Sequence, residues 1–90
     1  MAKATVDPAE LRRFARDLSR FNTELESLMS KLHSRMLNLE KSWDDQEQRK
    51  FFEEFEHTMK TLSRFTDNAG QYITFLVKKA RHIDEYLQQG

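Results

Sequence analysis

Residues 11–39 read LRRFARDLSRFNTELESLMSKLHSRMLNL, and a leucine stands at every seventh position: Leu11, Leu18, Leu25, Leu32 and Leu39. A seven-residue repeat sustained this long marks a helix that packs along its length against another helix. Phe14, Phe21 and Leu28 fill the alternating steps of three and four, and Met36 and Trp43 continue the pattern after one slip at Arg35. No glycine or proline interrupts it. Just upstream, Asp7-Pro8-Ala9-Glu10 supplies a side chain to cap free backbone donors, a proline suited to the first helical position, and an acid at the third. The pattern predicts a helix over about residues 8–41, after a loose tail over residues 1–6.

Between Glu40 and Lys50 only Trp43 is apolar, and extending the leucine repeat would put Gln46 and Glu53 in the seam, so the chain turns at about residues 42–45. Ser42, Asp44 and Asp45 are all candidate caps for a second helix. A second seam then runs Phe52, Phe55, Met59, Leu62, Thr66, Ala69, Ile73, Leu76, Ala80, Ile83 and Leu87. It keeps phase through Gly70, which predicts one long helix over about residues 45–88. Gly70 permits a close approach or a bend there, or is simply tolerated. At 1.5 Å per residue the helices are about 50 and about 65 Å long, and so short a connection allows only an antiparallel return. The expected fold is all-α, with residues 1–90 as a single helical-hairpin domain. Each helix also carries a further apolar stripe: Ala15, Met29, Met36 and Trp43 on the first, Phe51, Phe65, Tyr72 and Tyr86 on the second. A lone hairpin consumes one stripe per helix, so the surplus predicts dimerisation into a four-helix bundle.

Composition narrows the function. Fifteen basic residues balance fifteen acidic ones, which removes the cationic field that nucleic-acid binding relies on and argues against docking on an anionic membrane. Arg12, Arg13, Arg16 and Arg20 lie inside the apolar repeat, whereas the DNA-reading region of a zipper protein precedes it. The longest apolar run, Tyr72 to Val77, contains Thr74 and is too short to span a bilayer, so no membrane insertion is expected. Residues 1–10 lack an apolar segment, so no cleavable secretory signal is expected. The absence of cysteine excludes disulfides and thiolate metal sites. His33, His57 and His82 have no second ligand three or four residues away, and the acidic cluster around Asp44 lacks a calcium loop's glycine and is interleaved with Arg49 and Lys50. No catalytic residue, metal site or cofactor is expected.

Ninety residues, two long amphipathic helices, and a tryptophan as the one apolar residue of the turn together resemble the WXG, or ESAT-like, family of helical hairpins associated with type VII secretion. The family's motif falls on Trp43-Asp44-Asp45, with Asp45 in the place of the usual glycine. A tyrosine followed four residues later by an acid, the family's C-terminal export signal, is not clearly present: Tyr86 leads to Gly90 and Tyr72 to Leu76. The resemblance implies a protein that binds helix against helix, as a secreted substrate, an adaptor, or the companion of a larger secreted protein. Its partners would be a second copy or a related hairpin, with secretion machinery beyond them. The competing expectation is an intracellular coiled-coil scaffold or chaperone, so both secretion without a cleavable signal and a cytoplasmic place stay open. Trp43 either pins the turn to the bundle end or recognises a partner; Phe14, Leu18, Phe21, Leu25, Phe55, Leu62, Ile73 and Leu76 are expected to divide between core and interface. Residues 1–22 and 71–90, which share one end of such a hairpin, carry eight basic and five acidic residues, a net of +3. Residues 23–70 carry seven and ten, a net of −3, which favours two hairpins packed with opposite polarity.

Overall fold

A computed structural model describes residues 6–89, which form two helices, α1 (Pro8–Ser42) and α2 (Glu47–Gln89), folded back on each other as a hairpin. Of the expected tail, residues 1–5 lie outside the described residues. Asp7 starts α1 as its spacing predicts, its Oδ1 accepting the Ala9 N–H at 2.9 Å with Pro8 in the first turn. Glu10, however, does not reach back to the backbone of Asp7; its carboxylate pairs with Arg13 one turn on and raises that guanidinium's pKa, mainly through the hydrogen bond. At the other end Trp43 leaves helical geometry (φ −98°, ψ 114°) while its N–H still donates to the Leu39 carbonyl at 2.9 Å. The second helix starts at Glu47 rather than at residue 45. Asp45 stands outside it as the cap, Oδ1 accepting the Glu47 N–H at 2.9 Å.

The two helices meet along a seam whose α1 side differs from the expected one. Leu11, Ala15, Leu18, Asn22, Leu25, Met29, Met36 and Trp43 are buried or half-buried, with no slip at Arg35. Phe14, Phe21 and Leu28 point away, 58, 52 and 61% exposed. The leucine row is thus shared by two flanks, and the smaller, more polar flank turns inward. Helices pack with axes about 8–10 Å apart, a distance set by the side chains between them. Here those include Ala15 at 3%, Ala69 at 1% and Ala80 at 0% exposure. On α2 the inward row from Phe52 to Ile83 is the expected one, and of the expected seam only Leu87, near the helix end, is exposed, at 59%. The register is read directly from Asn22 Nδ2 donating to the Thr66 carbonyl (3.0 Å), Phe21 edge-on to Phe65 (centroids 6.0 Å), and Arg12 paired with Asp84 (2.5 Å).

The result is a rod one helix thick, 68 × 23 × 15 Å, with a radius of gyration of 20.2 Å. A compact chain of this length has a radius of gyration of about 12 Å. Its accessible surface is 7420 Å², roughly a third more than the ~5,500 Å² of a compact monomer of this mass. A domain normally buries its core between two layers, and this hairpin is a single layer.

The alanine seam gives a direct test. Ala80→Leu inserts three carbons where none fits and forces the helices apart, so urea unfolding should register a loss of about 1–3 kcal/mol. The same change at exposed Lys79 should stay within about 0.5 kcal/mol.

Candidate interaction surface

Heptad geometry places the outward flank of α1 beside a matching flank of α2. On α1 it comprises Phe14, Phe21 and Leu28; on α2, spaced by sevens, it comprises Phe51, Phe65, Tyr72 and Tyr86, which are 42, 40, 56 and 75% exposed. The Phe21–Phe65 edge-to-face contact spans the two helices and shows that the flanks lie on one side of the hairpin. Leu32 and Leu39, 47 and 46% exposed, complete this face toward the turn. There Leu32, Arg35, Met36, Leu39, Phe51 and Phe55 line an open dent of about 150 Å³, room for one large side chain from a facing helix. Monomeric proteins seldom leave contiguous apolar patches larger than a few hundred Å² uncovered.

The opposite side of the hairpin is charged. Glu40, Gln48, Arg49, Glu53, Glu56, His57 and Lys60 line its cleft near the turn, and Arg12 and Arg16 rim a shallower one near the termini over Ala15, Ile73 and Val77. His33, His57 and His82 are exposed. Among the described residues no three His, Asp or Glu side chains are placed to hold a metal ion, and no helix is long and apolar enough to cross a membrane.

The turn is the best-built part of the molecule. Trp43, half-buried, lies 5.4 Å from the Phe51 ring and 5.6 Å from Phe52, while Phe51 contacts Phe52 at 5.4 Å and stacks on Phe55 at 5.8 Å (all centroid distances). Four rings from both sides of the turn form one cluster, each such pair contributing about 0.5–1.5 kcal/mol beyond its buried area. Gln48 completes it: Nε2 donates to the Glu40 carbonyl at 3.0 Å and to the Trp43 carbonyl at 2.7 Å, satisfying acceptors that the end of α1 leaves free. Sequence reading missed this role, since a glutamine three residues past a capping aspartate carries no signal for bonding backward across a turn. It also missed Asn22 as a seam residue, because an amide in an apolar row reads as a break in the pattern.

Among the residues singled out by the sequence, Leu18, Leu25, Phe55, Leu62, Ile73 and Leu76 are half-buried between the helices. Phe14 and Phe21 lie on the uncovered face instead. Asp44 and Asp45 are exposed beside Trp43. No described non-glycine residue has a positive φ, so this turn needs no glycine and accommodates Asp45 without strain.

A family model, WXG100 ("Proteins of 100 residues with WXG"), matches residues 3–86. A match over nearly the whole chain, on a helical hairpin with tryptophan at its turn, defines the class: the protein belongs to the WXG100 family of small, secretion-associated helical proteins. Comparisons with curated proteins and with solved structures find no match.

Substitutions at the turn separate the parts played there. Trp43→Ala should cost about 2–4 kcal/mol in denaturant unfolding, as for other large-to-small core changes. Asp45→Ala removes the cap at about 1 kcal/mol, whereas Asp45→Gly, which restores the family's motif, should change stability by only about a few tenths.

Proposed function

We propose that this protein is a non-enzymatic binding hairpin of type VII secretion, acting as a secreted substrate, an adaptor, or the companion of a larger secreted protein. The uncovered face of Phe14, Phe21, Leu28, Phe65 and Tyr72 carries this reading. It gathers exposed aromatic and leucine side chains from both helices on one side of the hairpin, and a second layer of two helices is what would cover it. The occupant we favour is a second copy of the chain, giving a four-helix bundle with Trp43, Asp44 and Asp45 at the bundle ends. Stable interfaces remove about 1,200–2,000 Å² from solvent in total. Each hairpin exposes roughly 1,900 Å² beyond a compact monomer's ~5,500 Å², more than the about 800 Å² that each partner contributes to such an interface.

Charge selects the orientation. The terminal end has a net charge of +3 and the turn-proximal region −3, so opposite polarity sets basic ends against acidic ones. These groups are exposed, so the preference amounts to about 1 kcal/mol and weakens with salt. Export is supported by family membership and is tested by following the chain into the medium of cells with and without a type VII secretion ATPase. Retention in both would favour the scaffold or chaperone reading.

Sedimentation equilibrium should give a dimer at micromolar concentration for the native chain. Phe14→Ser with Leu28→Ser, both at exposed positions, should give a monomer that keeps its helicity. A native chain that sediments as a stable monomer would exclude the bundle. Spin labels at Ser42 report polarity, since opposite packing sets the two turns tens of Å apart at about 1.5 Å per helical residue, and a short distance would mean that charge does not set the orientation.

A further inference from the structure

We infer that α2 contains a hinge at residues 66–74, centred on Gly70 and braced by Asn22, through which the terminal half of the hairpin opens while the turn half stays closed. Three independent observations place it there. The first is Gly70 itself, well inside a 43-residue helix. A Cβ at this position would meet nothing within 4 Å, and φ is not positive, so neither crowding nor backbone geometry calls for glycine in the closed hairpin. Glycine there lowers the helix's equilibrium stability about five-fold relative to alanine. What it gives in return is backbone freedom.

The second observation is a set of side-chain donors on α2 carbonyls that is densest around that point, with one further such bond, from the Thr61 hydroxyl to the His57 carbonyl at 3.2 Å, in the turn half. The Thr66 hydroxyl donates to the Ser63 carbonyl at 2.7 Å, Asn22 Nδ2 to the Thr66 carbonyl at 3.0 Å, and the Thr74 hydroxyl to the Gly70 carbonyl at 3.2 Å. Such bonds compete with the helical N–H groups and favour bending.

The third is an asymmetry along the seam. The turn half is held by the Trp43, Phe51, Phe52 and Phe55 cluster. Beyond the hinge, α2 contributes Leu76, Ala80 and Ile83 without an aromatic ring among them, and the cross-helix polar contact at that end is the Arg12–Asp84 pair, its side chains 39 and 37% exposed. An ion pair so accessible to solvent holds weakly. Opening here uncovers the terminal stretch of the leucine row, Leu11 and Leu18, and leaves the turn intact.

Hydrogen exchange followed by mass spectrometry on the full chain tests the inference. Amides of residues 71–80 should exchange at least ten-fold faster than those of residues 50–62. Gly70→Ala displaces nothing in the closed hairpin and stiffens the hinge, so it should slow exchange in 71–80 about five-fold and leave 50–62 unchanged. Asn22→Ala should speed exchange in 71–80 selectively. Equal slowing of both segments by Gly70→Ala, or no change in either, would overturn the hinge. Equal acceleration of both segments by Asn22→Ala would overturn the bracing role.

Discussion

Leu11, Leu18, Leu25, Leu32 and Leu39 form one row with an apolar flank on each side, and a helix in a two-helix hairpin can turn only one of those flanks fully inward. Almost every other feature depends on that constraint. The inward flank closes the hairpin through Ala15, Asn22, Met29, Met36 and Trp43. The outward one leaves Phe14, Phe21 and Leu28 in solvent, next to the aromatic flank of α2. A layer one helix thick has nothing to cover them with. The same geometry that makes the chain a hairpin therefore leaves an apolar face in solvent, and the proposed binding function rests on that face.

Stability is unevenly distributed along the rod. At the turn, four aromatic rings and the double donation from Gln48 hold the end of α1 against the start of α2. Toward the termini, alanines let the helices approach closely but bury little area per residue, and burial is what stabilises at about 25 cal/mol per Å². Close approach and deep burial are competing demands on a narrow seam. This molecule answers one at each end, which gives a terminal half with lower resistance to opening than the turn half.

Asp45 shows how a family's motif residue can be replaced without losing the fold. A glycine in a tight turn is needed where φ is positive or where another backbone comes close. Neither applies here, since the chain leaves α1 in extended geometry at Trp43 and enters α2 through an aspartate cap. Asp45 trades conformational freedom for a hydrogen bond to the first turn of α2. Trp43 keeps its place because its ring is held from the α2 side, by Phe51 and Phe52, and not by the residue two positions on.

Local patterns in the sequence determined the helices and their return. Heptad spacing, the Asp7-Pro8 start and the loss of phase after Glu40 act over a few residues, and a short connection between two long helices leaves one topology. The α2 seam from Phe52 to Ile83 was legible for the same reason, as was the surplus of apolar surface. Only the tertiary structure decided which flank of the leucine row faces inward, because both flanks have helical spacing and the stronger hydrophobicity of Phe14 and Phe21 pointed the wrong way. The choice depends on how closely two backbones can approach across Ala15, Ala69 and Ala80, and on Asn22 finding the Thr66 carbonyl. Those are properties of a pair of helices, set by residues more than forty positions apart in the chain, and no periodicity within either helix encodes them.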